Sequence, residues 1–462
     1  MPPIVATILT LGLMGYLFRR EYRAKPNVTR AVWIPFLWLF LIGTRTFGQW
    51  VDTFGASIGS GTYEEGSPLD AAIFFLIIIA GVMVLQRRRF SMAVFTQNNR
   101  WVAVFLVYSL LSVVWSDFEF VSFKRWIKVV GHPIMVLVLL TEPDPEEAII
   151  QLMKWFAYIA FPVSILFIKY YPDMGRTFDP FIGMPSNTGI ALDKNMLGSV
   201  CMIAGIFLTW HMLRVVKQPK SRERRWELIC TGFIVALAVW VLHLAHSSTA
   251  LVTMIVAIGI IYFVGLESVN KQRLTGYLIG VVVVIAIAQW AFDVYGLVLN
   301  MLGKDLTLTD RTKVWADVLK VDINPIIGTG FESFWLGERR EELWRIYWWH
   351  PIQAHNGYLE TYLNIGFVGL GLMIMLIVNA YRKACSWLIA GVDFARVRLG
   401  FVAAFVLYNC TEAAFKALHP VFFVFFLVAM DYPRLAVPEV EKNETMVDTG
   451  EPAEPIGLKI RA

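Results

Sequence analysis

His355 is the residue of this 462-residue chain best placed to handle a proton. It stands just ahead of an apolar segment that begins near Gly357, so it would lie at the N-terminal end of a helix. The helix dipole favours a neutral imidazole there, and a neutral imidazole can accept a proton from a hydroxyl group as a general base. A capping or interfacial histidine is the simpler alternative, which the residue type alone does not exclude.

Arg311 is a second candidate, because it follows Thr309 and Asp310, a pair typical of the start of a helix. Its side chain would then lie in the first helical turn, beside unpaired backbone N–H groups. The guanidinium and the helix dipole would both favour an anion such as a diphosphate at this point. The alternative is an ion pair between Arg311 and Asp310 or Asp317 on a solvated helix face.

Four further cations could contact an anionic substrate. Lys194 lies between Asp193 and Asn195 at the outer end of an apolar segment, where ionisable side chains are costly and usually face a cavity. A simple pair of Asp193 with Lys194 is the alternative. The other three stand in connectors on the same predicted side: Arg45, Lys124 and Arg125. They could line a site for an anionic lipid headgroup, or each could rest at the membrane interface.

The sequence predicts neither a metal ion nor a nucleotide cofactor. It contains no Gly-rich phosphate loop, no zinc-ligand spacing and no Asp-x-Asp pair. Its four cysteines lie in or next to apolar segments without paired spacing, so we interpret them as small core residues. We therefore expect no metal site, no cofactor and no nucleic-acid partner.

The composition predicts an all-α, polytopic membrane protein. Apolar residues make up 57% of the chain and charged residues 17%, whereas soluble domains carry roughly 25% charged residues. A spanning helix needs about 20 mostly apolar residues. The candidate spans are 4–18, 31–44, 70–86, 101–115, 126–140, 152–168, 190–213, 226–245, 250–266, 275–292, 357–380, 399–411 and 414–431. Because the first two and the last two are short, we expect 12 or 13 transmembrane helices.

The placement of lysine and arginine predicts the orientation of these spans. Alternate short connectors hold 21 of these cations on one side and six on the other. The cation-rich side should be the cytoplasm, which puts the one large loop, 293–356, on the periplasmic face. The acidic connector around Glu142–Glu147 is the one segment of the cation-rich side that is out of character.

The order of these motifs resembles the O-antigen ligase and polysaccharide polymerase superfamily of bacterial inner-membrane proteins. The most specific match is His355-Asn356 followed after nine residues by Gly366 and Gly369. The other matching elements are Lys194-Asn195, Ser247–Ala250, Arg311 with Trp315, and Asn324–Gly330. The resemblance covers about residues 190–380.

This resemblance implies transfer of a glycan from undecaprenyl diphosphate to a sugar hydroxyl, without a metal ion or a nucleotide sugar. By resemblance, His355 would activate the acceptor hydroxyl and Arg311 would hold the diphosphate leaving group. The substrate-binding residues would be Lys194, Asn195, Arg125, Lys124, Arg45, Asn356 and Trp315. The expected partners are the lipid-linked glycan, membrane lipids, a chain-length regulator and other polysaccharide export proteins.

Two features favour a polymerase over a ligase. The segments Glu65–Asp70, Trp115–Asp117 and Ser122–Arg125 look like the branch that contains exopolysaccharide polymerases. Ligases commonly carry an arginine after the short external corner, where this chain has Ser248 and Thr249. A ligase that transfers finished glycan to a lipid or protein acceptor stays an alternative, and a transporter or flippase of lipid-linked sugars is an alternative of another class.

The chain should therefore divide into four parts in the bacterial inner membrane. Residues 1–189 are N-terminal transmembrane helices, and residues 190–380 are the ligase-like core with its periplasmic loop. Residues 381–433 are C-terminal transmembrane helices. Residues 434–462 are polar and Pro-containing, so we expect a disordered cytoplasmic tail.

Overall fold

The apolar segments form helices, since a helix satisfies its own backbone hydrogen bonds in lipid. The computed structural model describes residues 1–24, 27–55, 66–179, 183–292 and 311–433, and every predicted span falls on a helix within those ranges. The helices are α1 (Pro3–Ala24), α2 (Trp33–Gly43), α3 (Phe47–Thr53), α4 (Pro68–Arg87), α5 (Met92–Asn98), α6 (Arg100–Leu111), α7 (Glu119–Leu140), α8 (Pro145–Tyr170), α9 (Pro172–Gly175), α10 (Lys194–Val216), α11 (Arg222–Ala245), α12 (Ser248–Val264), α13 (Leu274–Phe292), α14 (Arg311–Val318), α15 (Gly337–Ile346), α16 (Gly357–Ile389), α17 (Phe394–Tyr408) and α18 (Pro420–Ala429). Short 3₁₀ helices lie at Arg30–Val32, Ser112–Trp115 and Lys271–Arg273.

Strands are a minor part of the described chain. β1 (Arg176–Asp179) and β2 (Met184–Asn187) pair antiparallel, with Arg176 opposite Asn187. The all-α fold class is therefore confirmed.

Five described helices are long and apolar enough to cross a membrane individually: α4, α8, α10, α11 and α16. The segment 30–43 and α3 qualify together, with a bend of 59° between them. Shorter apolar helices lie at Arg100–Trp115, α12 and α18. The multi-pass character of the protein is confirmed, while the count of 12 or 13 spans stays a prediction.

Helix α10 runs through the centre of the helical core. About 78% of its most apolar stretch is buried by protein, and the corresponding share of α8 is 83%, whereas that of α4 is only 28%. α10 packs against α11 and α12 along its length. Lys194, the first residue of α10, lies half-buried at the end of this enclosed helix.

Ion pairs between connectors explain why the acidic segment Glu142–Glu147 lies on the cation-rich side. Glu142 forms a salt bridge with Arg88, and its side chain is fully buried. Glu146 pairs with Arg214 at 2.5 Å. Because both acids are neutralised by cations of neighbouring connectors, their presence on the cation-rich side needs no change of topology.

Residues Met1–Tyr432 form one compact unit. The expected boundaries at 189 and 380 therefore fall within a single unit. The expected disordered tail, 434–462, lies outside the described residues, as do Thr309 and Asp310.

Helix α16 is broken one-quarter of the way along its length. Ile365 and Gly366 leave the helical conformation, and Gly366 adopts φ 65° and ψ −168°, a combination that only glycine adopts readily. The break leaves backbone groups of α16 without intrahelical partners. Residues 357–364 thus form a short separate helix ahead of the long apolar one.

The Asn324–Gly330 segment supplies the missing partners. The N–H groups of Thr329 and Gly330 donate to carbonyl oxygens of residues 363 and 364 at 3.2 and 2.8 Å. In return, the N–H groups of Phe367 and Val368 donate to carbonyl oxygens of residues 325 and 326 at 2.9 and 3.1 Å. The Asn324–Gly330 segment therefore supplies hydrogen-bond partners to the backbone groups on both sides of the break in α16.

The substitution Gly366→Ala tests this pairing between the Asn324–Gly330 segment and the break in α16. A methyl group at residue 366 would lie 2.2 Å from the carbonyl oxygen of Ile326, and the backbone angle would itself be strained. We expect a loss of about 1–3 kcal/mol of stability, measured as a lower apparent melting temperature of the purified protein. Gly371→Ala is the matched control, since an added methyl group there meets no atom within 4 Å among the described residues. Equal melting temperatures for the two variants would contradict the account.

Candidate active site

The guanidinium of Arg311 contacts the connector between α17 and α18. Its Nη2 atom lies 2.9 Å from Oε1 of Glu412, and its Nη1 atom donates to the carbonyl oxygen of Thr411. Asp317 instead accepts hydrogen bonds from Lys320 and from the hydroxyl of Tyr347, each at 2.7 Å. The alternative pair of Arg311 with Asp317 is therefore not formed, and Asp310 lies outside the described residues.

The same carboxylate reaches His355. Oε2 of Glu412 lies 3.1 Å from Nδ1 of His355, while the amide of Gln353 is farther from that nitrogen, at 3.3 Å. A carboxylate can only accept, so the imidazole donates from Nδ1. A neutral ring in this tautomer keeps Nε2 as an acceptor, which is the state that a general base requires.

Glu412 is buried and ionised at the junction that it forms with Arg311 and His355. Its side chain is 8% exposed, whereas those of Arg311 and His355 are each 20% exposed. Burial alone would raise the pKa of Glu412, but the Arg311 guanidinium and the His355 hydrogen bond outweigh it and lower the pKa to about 2. Both partners therefore face a permanent negative charge over the physiological range of pH.

The backbone at His355 is held from both sides. His355 adopts a left-handed φ of 50°, which is uncommon for a residue with a side chain. The preceding Ala354 donates its N–H to Glu360 at 2.9 Å, and its carbonyl oxygen accepts from the indole of Trp315 at 2.7 Å. These contacts fix the peptide groups that set the direction of the imidazole.

Two predicted substrate-binding residues thus have positioning roles in this structure. Trp315 ties α14 to the backbone beside His355. Asn356 caps α16, since its side chain accepts from the N–H groups of Tyr358 and Leu359 at 3.0 and 3.1 Å. The helix is therefore capped by Asn356, and His355 stands one residue outside the cap.

Lys194 and Asn195 begin α10 close to the same connector. Asp193 caps this helix by accepting from the N–H groups of residues 195 and 196, each at 2.8 Å. The hydroxyl of Tyr408 donates to the carbonyl oxygen of Asn195 at 3.4 Å. The role of Asp193 is thus helix capping, and α10 starts where α17 ends.

The Ser247–Ala250 corner contacts the connector that carries Glu412. The hydroxyl groups of Thr249 and Thr411 lie 2.8 Å apart. The Ser247–Ala250 corner, Arg311 and His355 are therefore joined to one connector, although they lie far apart in the sequence.

Arg45 lies elsewhere, ahead of α10, and its expected contact with substrate stays a prediction. Arg45 is 7% exposed, and its guanidinium donates to the carbonyl oxygens of Met174, Gly189 and Ala191 and to the hydroxyl of Thr53. These contacts fix the segment ahead of α10.

Lys124 and Arg125 lie near the N-terminus of α7, away from the junction that Glu412 forms with Arg311 and His355. The ammonium of Lys124 lies 4.9 Å from the ring centre of Phe120. Arg125 donates to the carbonyl oxygen of Glu332 and lines a cavity with it.

Glu412 was missed from the sequence, although a signal was present. The run Asn409-Cys410-Thr411-Glu412 is a polar interruption between two apolar segments. An acidic residue in such a short connector is costly unless it is paired, so it indicates a buried cationic partner.

The comparisons with known proteins cover the same part of the chain. Residues 233–374 match a family model described as O-Antigen ligase. The predicted resemblance to this superfamily is confirmed. The matched segment contains Arg311, Asn324–Gly330 and His355, whereas Lys194 and Glu412 lie outside it.

One curated relative extends the match. The chain is 25% identical over 296 residues to the "Exopolysaccharide production protein ExoQ" of Rhizobium meliloti (strain 1021). The alignment covers 61% of this chain and 64% of that protein, which is less than two thirds of its length. Together with the apolar helices, the two matches indicate a multi-pass membrane enzyme of the O-antigen ligase and polymerase type.

Glu412→Gln tests the electrostatics of the junction. Because the pKa of Glu412 is about 2 in the fold and ordinarily 4.5, its ionised form stabilises the protein above pH 4.5, and that contribution is lost as the pH falls towards 2. We expect Glu412→Gln to melt below wild type at about pH 7 and the difference to shrink at about pH 3. The exposed Glu341→Gln is the control and should show no difference at either pH. A melting difference that does not change with pH would contradict the assignment.

Proposed function

We propose that this protein is a glycosyltransferase that joins undecaprenyl-diphosphate-linked oligosaccharide repeats into exopolysaccharide on the periplasmic face of the inner membrane. The observation that carries the proposal is the Glu412 carboxylate, which contacts Arg311 through one oxygen and His355 through the other. A base for the acceptor and a cation for the leaving group are thereby brought to one place.

The reaction follows from these two side chains. Nε2 of His355 accepts the proton of an acceptor hydroxyl while the hydroxyl oxygen bonds to the anomeric carbon of the donor. The bond from that carbon to the diphosphate oxygen breaks, and the lipid diphosphate leaves with the electron pair. Glu412 stabilises the imidazolium, which afterwards releases its proton to water.

Arg311 is suited to the diphosphate that leaves. A guanidinium has five N–H donors, and the contacts with Thr411 and Glu412 use two of them. Lys194, at the start of α10 beside the end of α17, is a second cation close to this connector. Since these cations supply the charge, we expect the transfer to need no metal ion and no nucleotide sugar.

The orientation and the partners are part of the proposal. The excess of cations in alternate connectors supports a periplasmic position for the loop that carries His355. A periplasmic polymerase would work with a chain-length regulator and with polysaccharide export proteins. The name of the relative, an exopolysaccharide production protein, supports polymer synthesis as the role.

His355→Ala tests the catalytic base. Loss of a general base typically lowers a rate by about 10²–10⁴-fold, so we expect chain growth to stop while the protein still inserts into the membrane. The matched control is His350→Ala, because His350 lies in the same loop, is exposed and has a similar φ of 52°. Long polymer made by the His355→Ala strain at normal protein levels would remove His355 from the mechanism.

A ligase is the second candidate, because the matched family model is described as an O-antigen ligase. The glycans that accumulate in a deletion strain separate the two activities. A polymerase predicts single repeats on the lipid carrier, and we expect this result. Full-length chains on the carrier would indicate a ligase, and units retained on the cytoplasmic side would indicate a flippase.

A further inference from the structure

A second polar site lies on the other side of the short helix 357–364. It is a cavity whose polar lining consists of Arg125, Glu332, Glu360, Thr361, Asn364 and Lys416. Its apolar lining consists of the aromatic rings of Phe105, Phe331, Trp335 and Phe415, together with Ile352 and Ile365. Polar groups of both signs beside aromatic surfaces are typical of a ligand site rather than of a packed core.

The cavity is directly connected to the backbone of His355. Glu360, which lines it, accepts the N–H of Ala354 at 2.9 Å, one residue before the imidazole. Lys416, four residues after Glu412 in the sequence, also lines the cavity. A ligand in the cavity would therefore lie beside Glu360, which holds the backbone immediately ahead of His355.

The charge of the lining argues against a diphosphate. Arg125 and Lys416 contribute two positive charges, and Glu332 and Glu360 contribute two negative charges at most. No described residue of α14, which carries Arg311, or of α10, which carries Lys194, lines the cavity. A site that is close to neutral and includes a carboxyl group and an ammonium group suits an uncharged ligand that carries hydroxyl groups.

Glu332 and Lys416 are held as binding groups rather than as an ion pair. Glu332 adopts a left-handed φ of 49°, accepts the N–H of Ala417, and has its pKa raised by burial. Among the described residues, none accepts a hydrogen bond from the ammonium of Lys416. A buried carboxyl group on a strained backbone and a cation without a hydrogen-bond acceptor among the described residues thus line one cavity.

We propose that this cavity binds an uncharged sugar unit of the acceptor glycan, next to the unit whose hydroxyl His355 deprotonates. The proposal rests on the proposed glycosyl transfer and adds the subsite that selects the acceptor. The sugar would place hydroxyl groups on Glu332 and Lys416 and its apolar face on the aromatic rings. The lipid diphosphate of the donor would stay on the Arg311 side.

Binding of a glycan that lacks lipid and diphosphate tests this subsite. The probe is the oligosaccharide released by mild acid from the lipid-linked repeats of the deletion strain, titrated calorimetrically into the full-length protein in nanodiscs. Lys416→Gln should raise Kd about tenfold, which is the loss of one charge-assisted hydrogen bond. Lys416→Arg should restore most of the affinity, and Glu332→Gln should weaken binding independently.

Lys320→Gln is the matched control, since Lys320 is an exposed lysine of the same loop that pairs with Asp317. It should bind the oligosaccharide as wild type does, and so should Arg311→Lys, because the probe has no diphosphate. The subsite is wrong if wild type fails to bind, or if Lys416→Gln and Glu332→Gln both bind like wild type. In that case single repeats on the lipid carrier of the deletion strain would leave the proposed function standing, whereas full-length chains on the carrier would reject the function itself.

Discussion

A buried carboxylate that must be paired on both oxygens is the constraint on which the arrangement of Arg311, His355 and the connector between α17 and α18 depends. Taking the charge of Glu412 out of water is costly unless hydrogen bonds and cations replace the solvent. Arg311 satisfies one oxygen and His355 the other. The N–H of Gly357 also donates to the carbonyl oxygens of Asn409 and Glu412, at 2.8 and 3.0 Å. The connector between α17 and α18 is therefore fixed to the start of α16 by its backbone as well as its side chain.

The large loop gains its rigidity from a core of its own. Val314, Phe334, Leu343 and Leu363 pack together as a hydrophobic cluster separate from the main one. Below this cluster, the Asn324–Gly330 segment closes the break in α16. Packing within this cluster and the backbone hydrogen bonds at the break in α16 hold Arg311 and His355 at fixed positions. The proposed site for a diphosphate and a hydroxyl acceptor requires such fixed positions.

The sequence predicted the helices and two of the three residues at the junction, because apolar runs and lone cations in polar loops are local signals. Glu412 lies 57 positions after His355, and its pairing depends on how α17 and α18 pack, which no local pattern encodes. Arg45 shows the opposite case, a residue with a local signal that did not reveal its contacts in the folded chain. Its connector resembles those of the other external cations, yet the carbonyl groups of the segment 174–191 occupy its guanidinium only in the folded chain. Asn356 was grouped with the substrate-binding residues because helix capping and ligand binding call for the same polar side chain.

A double-mutant cycle between Arg311 and Glu412 tests most directly whether these residues act as one unit. Rates of chain growth are compared for Arg311→Lys, Glu412→Gln and the double variant, with both single variants retaining measurable activity. If the carboxylate couples the guanidinium to the imidazole, the double variant should be about as slow as the slower single variant, since residues that act as a unit are not additive. Rate losses that multiply in the double variant would mean that the two residues act independently, which would contradict the junction as the centre of the reaction.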